Sequence, residues 1–390
     1  MIEPKIRFKG FEGEWKKTIY GNHIVSTHTG TNLLGEVSNK GIPLLKMGNI
    51  QRGFFDLDKM EYLTANQNPP ANCIANFGDF FYNTRNTLEL VGKGATWMKK
   101  DGIYAFNSNI AICKLDGIDT FFFNYLYNTV RSIKQVQARA KGTTSVAAVY
   151  MRDLMSIKLA LPHITEQKTI ASYFTSLDSQ ISASTSCLAS LKQMKAASLQ
   201  AMFPQEGETV PKVRFKGFEG EWKKVKVYDI VGRFRTGKLD ANAMVSNGKY
   251  RFFTCAKDYF RIDTYAFDEE ALLISGNGEN VGYIHYYKGK FNAYQRTYVL
   301  TDFSQNILFI KSYMEAKLKN RINKEKSIGS TPYIRIDTIR DMDMSIPESK
   351  AEQQDIASYF TSLDRQITLQ TQRLEKLKQI KSACLDKMFV

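Results

Sequence analysis

Residues 166–203 read EQKTIASYFTSLDSQISASTSCLASLKQMKAASLQAMF, and residues 352–389 read EQQDIASYFTSLDRQITLQTQRLEKLKQIKSACLDKMF. The two stretches agree at 23 of 38 positions. In the first, Ile170, Phe174, Leu177, Ile181, Leu188 and Leu191 alternate in steps of four and three, with Ser184 in the one polar slot. In the second, Ile356, Phe360, Leu363, Ile367, Leu374 and Leu377 repeat the pattern around Gln370. This heptad spacing lays a narrow apolar seam along a helix of about 37 residues, roughly 55 Å long, and requires a partner helix. Alone, such a helix is marginal. The obvious partner is the other copy, pairing antiparallel about a local pseudo-twofold axis, with Ser184 and Gln370 helping to fix register. The alternative is that each helix packs on its own globular neighbour; the length and the repeated stripe favour the coiled coil. Outside the seam the first helix is Ser-rich (Ser179, Ser182, Ser186) and the second charged (Arg365, Arg373, Glu375, Lys376).

A second duplication precedes each helix. Residues 4–17 read PKIRFKGFEGEWKK and residues 211–224 read PKVRFKGFEGEWKK, differing only at Ile6 and Val213. The first pair of repeats is offset by 186 residues and the second by 207, so the unlike segment of the second half is shorter. A solenoid would repeat every 20–50 residues or so; this is one large module in tandem. The organisation expected is a first conserved region (1–17), a unique domain (18–160), a central conserved region (161–224) with its helix over 166–203, a second unique domain (225–346), and a last conserved region (347–390) with its helix over 352–389.

Composition agrees with two ordinary globular cores. Of 390 residues 43% are hydrophobic, and 54 Lys+Arg against 39 Asp+Glu give a net charge of +15. Residues 1–200 carry a net +8 and the remainder +7, so neither half is a basic tail. Clustered cations point weakly to nucleic acid and equally to solubility. Five separated cysteines without a CxxC pair exclude a disulfide scaffold and a zinc site. No apolar run reaches the ~18–20 residues of a membrane span, and the acidic, Pro-containing start is not a signal peptide. A cytoplasmic protein is expected.

The unlike segments carry strand candidates at Gly78–Tyr82, Ile110–Leu115, Tyr250–Thr254, Ala271–Ser275 and Thr297–Thr301, with Gly/Asn loops between them. Each nears its end with a small-polar cluster, KGTTS (141–145) or GSTPYIR (329–335), shortly before Pro162 or Pro347. They read as two α+β domains of one fold with diverged contact surfaces. Residues 91–160 hold ten Lys+Arg against four Asp, and Arg131–Lys141 reads as a helix with cations on one side. Catalytic signals fail on inspection. Asn68-Pro69-Pro70 is followed by Ala71 where an adenine methyltransferase needs an aromatic. Gly276-x-Gly278 misses the third glycine of a dinucleotide loop, and Thr236-Gly237-Lys238-Leu239 completes no P-loop. Glu315-Ala316-Lys317 with Asp302 is a nuclease-like triplet of a kind common by chance, and the four histidines have no metal-ligand spacing.

The duplicated helices, each approached by a proline and Glu-Gln (Pro162, Glu166, Gln167; Pro347, Glu352, Gln353), the Ile-x-x-x-Phe-x-x-Leu-Asp run, RFKGFEGEW and Ile42–Ile50 resemble the specificity subunit of type I restriction–modification systems. The resemblance covers essentially the whole chain. It implies an α+β fold class, with two target-recognition domains separated by a long antiparallel two-helix coiled coil. It also implies a bipartite, asymmetric double-stranded DNA target with a gap of several unspecified base pairs. Two adenine-N6 methyltransferase (modification) subunits, and restriction/translocase subunits through them, would be the partners. This chain would bind no cofactor; S-adenosylmethionine, ATP and Mg would sit on the partner subunits. Candidate DNA contacts in the first domain are Lys46, Asn49, Arg85, Asn86, Asn109, Arg139, Lys141, Thr143, Thr144 and Ser145. In the second they are Lys257, Arg261, Asn277, Asn280, Gln295, Arg296, Ser330, Thr331, Tyr333 and Arg335. Arg and Asn offer bidentate base contacts, while Lys and the hydroxyls suit phosphate. Phe11, Trp15, Phe218 and Trp222 are the partner-facing candidates, with packing on their own helix pair as the alternative. Competing readings are a stand-alone DNA-modifying enzyme and a non-DNA coiled-coil scaffold.

Overall fold

The computed structural model describes residues 3–37, 40–143, 145–325 and 332–390. The first half runs β1 (Lys16–Ile19), β2 (Ile24–Thr29), β3 (Ile42–Leu45), β4 (Glu61–Leu63), β5 (Phe80–Asn83), β6 (Arg85–Asn86), β7 (Gly94–Thr96), β8 (Ala105–Phe106), β9 (Ile110–Leu115), α1 (Thr120–Tyr127), α2 (Val130–Gln137), β10 (Lys141–Gly142), β11 (Ala147–Ala148), α3 (Met151–Leu154), β12 (Lys158–Leu161) and α4 (Ile164–Ala201). The second runs β13 (Lys223–Lys226), α5 (Val227–Ile230), β14 (Val231–Thr236), β15 (Tyr250–Phe253), β16 (Phe260–Ile262), β17 (Phe267–Ser275), β18 (Ile284–Ala293), β19 (Thr297–Phe303), α6 (Ile307–Glu325), α7 (Ile336–Arg340), β20 (Asp343–Ile346) and α8 (Lys350–Met388). Two compact units result: Met1–Ser184 with Arg373–Val390, and Thr185–Gln372. No helix of the described residues is long and apolar enough to cross a membrane.

The two units share a topology that their sequences hide. In the first, sheets β2-β9-β5-β7 and β4-β3-β8 stand side by side; in the second, one sheet runs β14-β19-β17-β18-β15-β16. The parallel pairing Leu44↔Ala105 has its counterpart in Phe252↔Asn292, so the single long β18 spans what β7 and β8 share in the first unit. A glycine marks the same close approach in both. A Cβ at Gly30 would lie 2.0 Å from the Phe106 carbonyl oxygen, and one at Gly237 would lie 1.9 Å from that of Ala293. Gly237 is therefore required by backbone packing, which accounts for the P-loop-like TGKL without any phosphate. Each module is closed by an antiparallel ribbon, β1 with β12 and β13 with β20. In β17, Leu272 and Ile274 enter one apolar core while Ala271 and Leu273 enter another, so both faces of the strand are buried.

The seam of the long helices is buried, with Ile170, Phe174, Leu177, Leu188, Ile356, Phe360, Leu363 and Leu374 all at or below 9% exposure. Ile181, Leu191, Ile367 and Leu377 are half-buried. Within each unit α4 and α8 pair antiparallel. In the first, Lys381 Nζ meets Asp178 Oδ1 at 2.5 Å and Tyr173 Oη lies 3.5 Å from Cys384 Sγ. In the second, Lys195 Nζ meets Asp364 Oδ1 at 2.6 Å and Ser198 Oγ lies 2.9 Å from Tyr359 Oη.

The duplicated loop now has a physical reason. Arg7 donates to both carboxylate oxygens of Glu166 at 2.8 Å and to the carbonyls of Glu12 and Gly13. Arg214 repeats this on Glu352 at 2.7 and 2.8 Å and on the carbonyls of Glu219 and Gly220. The hydrogen bond to its buried carboxylate holds each guanidinium above its ordinary range. Beside each clamp a glutamine ties the module to the helix: Gln167 accepts from Asp119 N and donates to Pro162 O, and Gln353 accepts from Asn306 N and donates to Pro347 O. Trp15 and Trp222, expected to face a partner, are each 2% exposed. Trp15 packs edge-on against Phe122 and Phe389, and Trp222 against Phe203. Core packing overrides the partner assignment for both; Phe11 and Phe218 are half-buried. A second correction concerns Arg131–Lys141. The helix starts at Val130, capped by the Thr129 side chain, and stops at Gln137. Lys141–Gly142 is a strand, with Gly142 at φ 136° turning the chain into a hairpin.

Candidate nucleic-acid interface

In the first unit three distant segments meet at one edge. Thr84 donates through N and Oγ1 to the Asn109 carbonyl at 3.1 and 2.9 Å, and Val149 N donates to the Thr84 carbonyl at 3.0 Å. The short β6 then pairs Arg85 with Ala148 and Asn86 with Ala147, while β10 brings Lys141 against Ala148. Arg85, Asn86, Asn109, Lys141, Thr143 and Ser145 are thereby brought to one edge, where Arg85 and Lys141 both pair with Ala148 and Thr143 Oγ1 lies 3.2 Å from Ser145 Oγ. Beside them lies a groove of about 660 Å³ lined by Thr27, His28, Thr29, Arg85, Asn109 and Tyr150. A neighbouring hollow of about 500 Å³ shares Asn32, Ser108 and Asn109 and reaches Lys46.

The second unit builds the same frame from other residues. Gly276 N donates to the Arg296 carbonyl at 2.8 Å, Ile334 N donates to the Gly276 carbonyl at 2.9 Å, and Asn277 bridges Tyr333 antiparallel. These bonds superpose Asn277 on Arg85, Arg296 on Asn109, Tyr333 on Ala148 and Arg335 on Tyr150. Cys255 Sγ also donates to the Arg296 carbonyl, and Asn280 Nδ2 donates to the Cys255 carbonyl at 3.2 Å, drawing in the loop that carries Lys257. Gln295 approaches Asp240 at 3.4 Å. Beneath this loop His285 Nε2 lies 2.9 Å from the Ala256 carbonyl, and burial holds its imidazole below its ordinary pKa. Lys257, Arg261, Arg296, Tyr333 and Arg335 are exposed, and Asn277 and Asn280 half-buried. Each unit thus offers a polar, cationic, hydroxyl-bearing surface, and the two surfaces differ at these four equivalent positions.

Three expected contacts are reassigned. Asn49 is 6% exposed; its Oδ1 accepts from Lys46 N and its amide donates to the carbonyls of Asp56 and Lys59. All its polar atoms are used to shape the 46–60 loop. Asn49→Ala should therefore cost about 1–3 kcal/mol of stability by stranding buried backbone groups, and methylation mapping should find the target unchanged. The Arg139 guanidinium donates to Ser156 Oγ, to the Ser156 carbonyl and to the Gln135 carbonyl, so it ties the end of α2 to Ser156. Lys46 is ion-paired with Glu61, which neutralises the charge meant for phosphate. Lys141 pairs with Asp153 at 3.1 Å but remains 59% exposed. Thr144, Ser330 and Thr331 lie outside the described residues. Glu315 of the nuclease-like triplet is held by Lys195 and Lys311, and Lys317 donates to Gln205, so the triplet stabilises helix packing. Sequence reading missed Thr27, Thr29 and Tyr150. Hydroxyls on a strand carry no distinguishing signal, although Tyr150 stands next to the cationic Arg152 and is 47% exposed.

The comparisons with known proteins point one way. The family described as "Type I restriction modification DNA specificity domain" matches residues 31–193 and again 219–379. The specificity subunit of the type I restriction enzyme EcoDI of Escherichia coli is 42% identical over 163 residues, 41% of this chain and 35% of that protein, so the match spans about a third of the relative. The crystal structure of an S subunit of a type I restriction–modification system from M. genitalium has a similar fold, with a TM-score of 0.73 and 16% identity over 100% of this chain and 99% of that one.

Proposed function

Because the chain belongs to the family of type I restriction–modification DNA specificity domains, we propose that it is the address-reading subunit of a type I restriction–modification complex. Each module reads one half of a bipartite, asymmetric double-stranded DNA target. The observation that carries this is the shared hydrogen-bond frame with different side chains at equivalent places: Arg85 against Asn277, Asn109 against Arg296, Ala148 against Tyr333. One scaffold presenting two side-chain sets is what reading two unlike half-sites requires. Arg and Asn have the geometry to address base edges, and the surrounding Lys, Thr and Ser suit the backbone.

In this reading the chain is not itself an enzyme and binds no cofactor. Two adenine-N6 methyltransferase subunits bring S-adenosylmethionine, and restriction subunits recruited through them bring ATP and Mg; the setting is the cytoplasm. With Trp15 and Trp222 inside the cores, the partner surface falls on exposed residues that are identical in both repeats. Ser172, Ser176 and Gln180 form such a row on α4, and Ser358, Ser362 and Gln366 form it on α8. Two copies of one partner need the same surface twice, and these residues do nothing for the cores.

Methylated adenines mapped genome-wide in cells with and without the chain test the proposal. A single bipartite motif should vanish when the chain is absent. Methyl transfer by the purified chain alone, given S-adenosylmethionine and DNA, would overturn the non-enzymatic role. Absence of salt-dependent duplex binding with methyltransferase present would support a scaffold that does not touch DNA.

A further inference from the structure

β16 is an edge strand of the second unit's sheet, and its register with β15 sets Arg251 directly opposite Arg261. Residues directly opposite on an antiparallel pair share a face, and like charges there are destabilising. The ion pairs of this sheet run through Arg233, Arg235, Lys288 and Lys290; among the described residues neither Arg251 nor Arg261 takes part in one. Aromatic rings hold them instead. The Arg251 guanidinium lies 4.3 Å from the Tyr259 ring centre and 4.6 Å from that of Tyr287, and Arg261 lies 5.5 Å from Tyr259. Both tyrosines rest on Phe253, which is buried. Arg261 and Tyr259 are exposed, as is Lys257 in the loop leading to the strand.

The fold does not need this pair. The first unit builds the equivalent strands β3 and β4 with Pro43 opposite Tyr62. Two unpaired, like-charged guanidiniums therefore persist at a site where the same topology manages without them. Stacking on a ring fixes the guanidinium plane and leaves its N–H fork free to donate, and that fork matches the oxygens of a phosphodiester.

We infer that Arg251 and Arg261, braced by Tyr259 and Tyr287, form a clamp for the phosphodiester backbone of DNA, present in the second module only. The clamp rests on the DNA-reading role proposed above and adds a division of labour: the surface that joins Asn277, Arg296 and Tyr333 from three segments reads bases, while the arginine pair fixes the duplex on the module.

The test uses the full chain assembled with its methyltransferase subunits and a duplex carrying the mapped target, titrated across salt. R251Q/R261Q should lower the slope of log affinity against log salt by about 2, since each phosphate contact contributes about 0.9. It should leave the methylated sequence unchanged and the melting temperature of the chain no lower. R251K/R261K, which keeps both charges, should retain most of the slope. An unchanged slope in the glutamine variant, a changed methylated sequence, or a lowered melting temperature in either variant would overturn the clamp. Failure of the wild-type complex to bind any duplex would overturn the DNA reading itself, and the clamp with it.

Discussion

Exchange of residues 225–346 for the corresponding segment of another family member is expected to abolish methylation at the original target and to create a target that keeps one half-site. The cut points favour this. Residues 225 and 346 both lie in the β13–β20 ribbon, where Lys223 pairs with Ile346 and Val225 with Met344, so the segment leaves and re-enters at one place. Everything that builds the proposed reading surface of the second unit, from Cys255 to Arg335, travels with it. The segment also carries its own fastening to the duplicated regions on either side of it. Phe309 packs on Phe203 and Trp222, and Lys311 is ion-paired with Asp364 at 3.0 Å. An incoming segment must supply an aromatic and a cation there, or the hybrid fails to fold. In hybrids that fold, the loss at the old site should be large, because each mismatched base pair costs about 1–3 kcal/mol and several change together. Methylation mapping decides it: if both half-sites change, one module does not read one half-site.

The second large effect is structural. Glu352→Ala should cost about 3–5 kcal/mol, because it removes one partner of a buried ion pair and leaves the other charge uncompensated. The Arg214 side chain is 14% exposed and that of Glu352 0%. With the carboxylate gone, Arg214 keeps only the Glu219 and Gly220 carbonyls, and the 211–224 loop loses its anchor on α8. Thermal unfolding should show an earlier transition for the second unit, and Glu166→Ala should do the same to the first, where the Arg7 side chain is 17% exposed and that of Glu166 2%. Replacing Arg214 and Glu352 together by apolar residues of similar volume should recover much of the loss, because no buried charge is then left alone. If Glu352→Ala unfolds like the wild type, the duplicated loop is not held by this clamp.

These effects mark where sequence reading was strong and where it stopped. The strand candidates at Ile110–Leu115 and within Phe267–Ser275 were legible because each contains a short continuous apolar run, IAIC and ALLI. The two-residue strands β6, β10 and β11 are too short to show any period, yet they assemble the surface proposed to read DNA in the first unit. Asn49 and Arg139 were misread for a common reason. A polar side chain near a loop looks the same in sequence whether it meets a ligand or its own backbone.

By itself the sequence determined the duplication, the heptad seam of both long helices and the division into two unlike modules, because repetition and periodicity are properties of the chain order. It also excluded the familiar catalytic loops, since those need residues at fixed local spacing. Tertiary structure alone decided which side of the duplicated motif is inside. RFKGFEGEW turned out to be a clamp and a core plug, its arginine on a buried glutamate and its tryptophan among aromatics of other segments, Phe122 and Phe389 for Trp15, Phe203 and Phe309 for Trp222. It alone placed Arg85 and Asn277 at the same position of one frame, and Arg251 opposite Arg261. Each of those relations depends on hydrogen bonds or strand register between segments ten or more residues apart, and no local pattern encodes them.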